Sequence, residues 1–471
     1  MRKEHDFLGE MEIPDNVYYG VQTLRALENF QISGRLADPL FIRSMAMVKK
    51  AAALANMKTG RLDTTIGQAL VQAADEIIAG QMADQFPLDA IQGGAGTSFN
   101  MNINEVLSNR ALEILGHPRG DYAYISPNNH ANMSQSTNDV IPTSIRVCAL
   151  MRTELLIVAL TDLSTSLSAK GEEFKDVLKM GRTHLQDAVP MTLGSEFFAF
   201  ASSVRRSIHR MRRNSQELNI INMGATAIGT GLNADPEYII QVARELSDIS
   251  GFEFTTAPNL IDATSNTDIF TDISGALRIT ALALIKICND LRLMASGPRA
   301  GFSEITLPPR QPGSSIMPGK VNPVIPEVVD QICYQVIGND LAVTFGVENG
   351  QFQLNVMEPV MAHNIFASFR YLTNGVSTLK RLCIDGIKAN PEMCAYWFHR
   401  SIGMVTALLP HIGYEKCSAL AKEALTNNRQ IRELIIEKGI MSEADLDVIF
   451  APDQFMTPGI AGKSLLKKDH H

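Results

Sequence analysis

Apolar residues recur at helical spacing along most of the chain. From Phe41 to about Met57 an Ala- and Met-rich stretch predicts a buried helix. Leu70 to Ile78 continues the helical period, and another helix follows Thr97 and Ser98 through Leu115. Pro142, in a favoured first-turn place for proline, opens a long helix to about Leu167, with Leu155, Leu156, Leu163 and Leu167 on one apolar side. A helix of about twenty residues begins at Ser195, and Thr264 to Ser296 reads as one long helix. Glu327–Phe345 and Met357–Leu382 read as two more. From about Asn390 the segments shorten, with helices near 391–408, 414–426, 428–438 and 442–450. Strand-like alternation is nearly absent. The pattern predicts an all-α bundle of long helices, and the shift at about Asn390 suggests a small helical C-terminal domain. Helices this apolar need cover on most sides, so subunits are expected to pack helix against helix.

The chain has 471 residues, 45% hydrophobic and 20% charged, which fits a soluble globular protein with a large core. A net charge of −8 without a basic run points away from a nucleic-acid partner. The N-terminus is charged and lacks the apolar run of a signal peptide, and no stretch approaches the roughly 18 apolar residues of a membrane helix. Cys148, Cys288, Cys333, Cys383, Cys394 and Cys417 stand singly, without metal-ligand spacing, and read as reduced thiols of a cytoplasmic protein.

The candidate chemistry lies in the breaks between helices. Gly93 to Gly96 precede Thr97 and Ser98 at a helix start, where backbone N–H groups and the helix dipole favour an anion. Ser134 to Asp139 is an unbroken polar run, SQSTND. A helix cap needs one hydroxyl, whereas this run offers three and an amide. Thr183 and His184 sit in a third loop, between helices, and Asn222 to Pro236 is a Gly-rich break. The fourth polar loop is GSSIMPGKVNP, Gly313 to Pro323. Its Gly and Pro residues mark a turn-rich segment, which presents Ser314, Ser315, Lys320 and Asn322. An ordinary polar surface turn would account for that composition alone. None of these loops carries a Cys/His cluster or a nucleotide-binding glycine fingerprint in a βαβ setting. Together they suit a small, doubly anionic substrate held by hydroxyls, amides and one lysine.

The order of residues in GSSIMPGKVNP resembles the signature loop of the fumarase/aspartase superfamily, G-S-S-x-M-P-x-K-x-N-P, at every defining position. The resemblance extends over nearly the whole chain. It implies three mostly helical domains, an N-terminal one (1–140), a central long-helix bundle (141–390) and a small C-terminal one (391–471), and a homotetramer whose core is built from the central helices of four subunits. Each active site would then collect residues from three subunits. It also implies elimination with release of fumarate: a proton is removed from the carbon next to a carboxylate, giving an aci-carboxylate.

By the same resemblance, Ser314 is the catalytic base. Thr97, Ser136, Thr137 and Ser315 surround the carboxylate beside the proton removed. Lys320, Asn322 and Thr183 grip the other carboxylate. Asn138 and His184 lie near the leaving group, and Glu327 pairs with that histidine. One added charge about 4 Å from a lysine gains roughly 4 kcal/mol at an effective dielectric of about 20, and roughly 2.4 kcal/mol at ~7 Å. Enzymes generally need about 8 kcal/mol or more. A ring of hydroxyls and backbone N–H groups in a closed site must supply the rest, with Gly313, Pro318 and Gly319 as candidate hinges.

Local choices resemble the aspartase side of the superfamily. Thr137 stands where fumarases usually carry Ser, and NPVIPEVV, NVMEPV and YYGVQTLRALENF look aspartase-like. His184 occurs in fumarases as well and does not discriminate. Argininosuccinate and adenylosuccinate lyases fit the signature loop and its flanks poorly. The implied reaction is reversible conversion of L-aspartate to fumarate and ammonia, with no redox or organic cofactor and no metal ligand in the site. Fumarate hydratase, with water as leaving group, and a non-catalytic structural relative remain the alternatives.

Overall fold

The computed structural model describes residues 1–466. Its regular structure is mostly helical. The helices are α1 (Val21–Asn29), α2 (Pro39–Lys58), α3 (Thr64–Ile78), α4 (Thr97–Ile114), α5 (Thr137–Glu173), α6 (Leu193–Ser215), α7 (Pro236–Ser250) and α8 (Leu260–Ser265). They continue with α9 (Ile269–Met294), α10 (Val324–Glu348), α11 (Glu358–Leu382), α12 (Pro391–Arg400), α13 (Val405–Ile412), α14 (Tyr414–Asn427), α15 (Ile431–Glu437) and α16 (Glu443–Ile449). Two antiparallel hairpins interrupt them, β1 (Arg2–Asp6) with β2 (Gly9–Ile13) and β3 (Leu178–Thr183) with β4 (Gln186–Thr192). No helix among the described residues is long and apolar enough to cross a membrane.

The chain forms two compact units. The first comprises Met1–Ile157, His209–Ala281 and Tyr334–Leu372; the second comprises Val158–Ile208, Leu282–Cys333 and the chain from Thr373. In the first, α2 packs on α3 and α7, and α4 on α1 and α3. Asp38 caps α2 by accepting from the Leu40 N–H at 3.0 Å, with Pro39 at the first helical position, and Asp63 caps α3 in the same way. In the second unit the short C-terminal helices close a core of Phe398, Leu408, Leu434 and Ile449 together with Met180 from β3. All six cysteines are buried free thiols, Cys148 in the first unit and the other five in the second.

Four expectations need correction. The stretch holding Thr183 and His184 is no interhelical loop but the β3–β4 hairpin. Its two-residue turn is His184-Leu185, with φ +55° and +57°, the primed geometry that matches strand twist. The usual Asn or Gly turn signal is missing, so the sequence does not announce it. The long helix α5 starts at Thr137, not at Pro142, which lies inside it. Proline lacks the N–H that would bond the Asn138 carbonyl; Asn222 Nδ2 donates to that carbonyl instead, at 3.0 Å. The predicted Thr264–Ser296 helix is two, because Asn266 is extended (φ −102°, ψ 134°) and ends α8. The segment 391–408 likewise divides, into α12 and α13.

Candidate active site

In the first unit, the α4 start is a run of left-handed backbone, Gly94 (φ +87°), Ala95 (+56°) and Gly96 (+83°). This turns the chain so that exposed Thr97 is the first helical residue, with the unpaired N–H groups of the first turn beside it. The polar run 134–139 leads into α5. Asp139 is fully buried and organises it. Oδ1 accepts from the Ser136 N–H at 2.9 Å, and Oδ2 from the Gly224 and Thr226 N–H groups at 3.2 and 3.0 Å. Burial pushes the Asp139 carboxyl up to about 7 against these hydrogen bonds. The Gly-rich break after Asn222 is therefore a cradle for the helix start, a role its composition alone does not reveal.

Ser136 Oγ accepts from the Asn138 N–H at 3.2 Å. The nearly buried Thr137 hydroxyl accepts from Asn100 Nδ2 at 3.3 Å. Asn138 Nδ2 donates to the Ala227 carbonyl at 2.7 Å, and Asn138 lines a cleft of about 420 Å³ with Ile228, Gln351, Phe352 and Met357. The sequence passed over Asn222, which holds the Asn138 carbonyl and the Thr264 hydroxyl. An asparagine among glycines gave no signal of this.

In the second unit, Thr183 and His184 are exposed at the tip of the β3–β4 hairpin. Its root is held by buried charges. Glu304, fully buried, pairs with Lys179 at 2.9 Å and Arg182 at 2.7 Å, and Lys179 also meets Glu196. Attraction to these two carboxylates outweighs the desolvation of Lys179 and raises its pKa. Among the described residues of one chain, His184 makes no hydrogen bond or ion pair with Glu327, which lies in the first turn of α10.

The signature loop closes on itself. The Gly313 N–H donates to the Lys320 carbonyl and Asn322 Nδ2 to the Gly313 carbonyl, each at 2.7 Å. One amide hydrogen of Asn322 is thus spent as a brace. Ser314 Oγ accepts from the Ile316 N–H at 3.2 Å and the Met317 N–H at 3.0 Å. Lys320 is exposed, and its ammonium has no partner among the described residues. Ser314, Met317 and Lys320 line a cleft of about 430 Å³ with Pro309, Arg310 and Pro312. Ser315 is exposed on the same loop. Two N–H groups on a hydroxyl oxygen favour its ionised form, as they would for any developing oxyanion.

A family model described as lyase matches residues 9–338, and one described as fumarase C C-terminus matches 404–457. The chain belongs to the fumarase/aspartase superfamily of lyases. It is 53% identical to the aspartate ammonia-lyase of Bacillus subtilis (strain 168) over 467 residues, 99% of this chain and 98% of that one. Among solved structures it is similar to the fumarate lyase:delta crystallin of Brucella melitensis, with TM-score 0.94 and 50% identity over 97% of this chain and 100% of that one. It is also similar to the class II fumarase of Schistosoma mansoni, with TM-score 0.91 and 34% identity over 97% of this chain and 99% of that one.

Proposed function

We propose that the chain is an aspartate ammonia-lyase, converting L-aspartate reversibly to fumarate and ammonia. The observation that carries the reading is the signature loop: Ser314 Oγ held by two backbone N–H groups, with the Lys320 ammonium, unpaired among the described residues, on the same cleft. In a chain 53% identical to an aspartate ammonia-lyase over 99% of its length, this supports Ser314 as the base. Ser314 takes the proton from the carbon next to one carboxylate, while Lys320, Asn322 and Thr183 hold the other. Negative charge then builds on the first carboxylate, facing Thr97, Ser136, Thr137 and Ser315. The carbon–nitrogen bond breaks and ammonia leaves beside Asn138 and His184, with Glu327 orienting the histidine.

The protein works as a homotetramer whose sites draw on three subunits, and its functional division is 1–140, 141–390 and 391–471. Large apolar side chains left exposed on long helices support subunit packing, among them Leu155 and Val158 on α5, Leu282 on α9, and Leu341 and Phe345 on α10. Six unpaired thiols support a reducing, cytoplasmic location. Similarity to a class II fumarase favours a second reading, hydration of fumarate to malate. Parallel assays with L-aspartate and L-malate decide between them. Fumarate with equal ammonia from aspartate alone establishes the first reading; fumarate from malate alone overturns it.

A further inference from the structure

Lys49 lies in the middle of α2 and is 2% exposed, yet it makes no ion pair among the described residues. Its Nζ donates to Asn132 Oδ1 at 3.0 Å and to Gln135 Oε1 at 2.9 Å. Both acceptors belong to the turn that leads into Ser136 and Thr137. Asn132 Oδ1 also accepts from Asn100 and Asn104 Nδ2, each at 3.1 Å, and Asn100 Nδ2 reaches the Thr137 hydroxyl. Asn132 Nδ2 donates to the Gln135 carbonyl at 3.2 Å. A chain of hydrogen bonds therefore runs from one ammonium to the side chain of Thr137 and the backbone before Ser136.

Two turns further along the same face of α2, neutral Asn56 does a similar job. Its Nδ2 donates to the Met133 carbonyl at 3.0 Å, and its Oδ1 accepts from the Ser134 hydroxyl at 2.8 Å. A neutral side chain thus suffices to fasten this turn to α2. Burying an ammonium among amides is unfavourable, and neutral acceptors recover only part of the lost hydration. The cost shows in Lys49 itself: burial lowers its pKa to about 7, opposed by the field of Asp139 at the start of α5. Tyr238 of α7, which packs on α2, also faces Asp139 and stays a neutral phenol. An uncompensated charge of this kind is a poor stabiliser, and strongly perturbed groups concentrate at functional sites.

We infer that Lys49 is a positioning residue for the elimination: its ammonium fixes the Asn132–Gln135 turn and sets a positive field behind Ser136 and Thr137, where the aci-carboxylate charge develops. This rests on the substrate role proposed above for Ser136 and Thr137. The charge has the sign that the reaction needs beside the carboxylate that Lys320 does not hold, and Lys320 alone falls short of the required barrier lowering.

The test uses the full-length chain with Lys49→Met, which keeps the length and removes charge and donor, and Lys49→Gln, which keeps a donor without charge. Amide hydrogen exchange of residues 132–139 reads the fastening independently of turnover, and kcat and KM for L-aspartate read its consequence. In Lys49→Met, exchange over 132–139 is expected to speed up at least tenfold and kcat to fall about a hundredfold, the loss that a 1 Å misplacement can bring. KM should change less than kcat, because the carboxylate bound there gains a further negative charge in the transition state. Lys49→Gln should recover most of the protection but leave kcat at least tenfold low. Unchanged exchange in Lys49→Met overturns the fastening, and wild-type kcat in Lys49→Gln overturns the role of the charge. Should Lys49→Met fail to fold, Lys49→Gln still decides the role of the charge by its kcat. A wild-type protein that releases no fumarate from L-aspartate sinks the proposed reaction, while the exchange comparison still judges Lys49.

Discussion

A serine hydroxyl in water is a poor base, and Ser314 becomes a better one through its neighbours' backbone. The Ile316 and Met317 N–H groups aim at its oxygen, and neither side chain takes part. Ser314→Ala should lower kcat by about a hundred- to ten-thousandfold, the usual range for a general base, with the fold intact; near-wild-type turnover would remove Ser314 from the role. Lys320→Ala should raise KM and lower kcat together. About 2.4 kcal/mol at ~7 Å corresponds to roughly fiftyfold in kcat, and unchanged constants would refute its part. Asp89 offers a separate check on stability. Burial opposes its ionisation, but hydrogen bonds from the Ser33 hydroxyl and the Ile91, Ser33 and Gly34 amides outweigh that and hold its pKa at about 2. A depressed carboxylate pKa stabilises the fold above the unfolded value of 3.8, and that part is lost as pH falls from there towards about 2. About 2 kcal/mol is at stake. Between pH 5 and pH 2, Asp89→Asn should therefore lose less thermal stability than wild type, and equal losses would count against the account. At this scale the sequence told which side chains cluster in polar loops. Which oxygen meets which N–H it could not tell, because that depends on backbone dihedrals that SSIMPG shares with many turns.

Among the elements, the long helices were legible because their apolar stripes are wide and uninterrupted, and α10 and α11 fall within a few residues of the pattern. The β3–β4 hairpin was not, since His184 and Leu185 adopt positive φ without a glycine to advertise it. The start of α5 was misplaced for a related reason: what tolerates Pro142 inside the helix is Asn222, eighty residues away in sequence. The signature loop makes an element-level prediction. A Cβ on Gly313 would stand 2.7 Å from the Lys320 carbonyl oxygen and 2.8 Å from the Asn322 nitrogen. Both are backbone atoms and cannot swing aside. Gly313→Ala should therefore open the loop and cost at least tenfold in kcat/KM, about the 1.4 kcal/mol of one broken backbone closure, with helical circular dichroism unchanged. Full activity in this variant would show that the closed loop is not the working one.

For the whole molecule, a homotetramer predicts a sedimentation mass four times the 51.6 kDa chain. If sites draw on several subunits, refolding Ser314→Ala chains together with Thr97→Val chains should restore part of the activity that each lacks alone. No recovery from a mixture shown to contain hybrid tetramers would confine each site to one chain. The apolar surplus on the helices leads one to expect subunit packing, and the family resemblance sets the expected number at four, but nothing in the sequence marks the two-unit division. Each unit is assembled from three separated stretches, and α5, α6, α9, α10 and α11 each run from one unit into the other. No local composition marks such a boundary.

The burial of every thiol turns the native chain into its own reporter. Native protein should resist alkylation, and a thiol is labelled only when the structure around it opens. Because Cys148 stands alone in the first unit and the other five are in the second, the mass added in a brief pulse under partial denaturation tells which part has loosened. One adduct marks the first unit, five the second, and six at once a cooperative collapse of the whole chain.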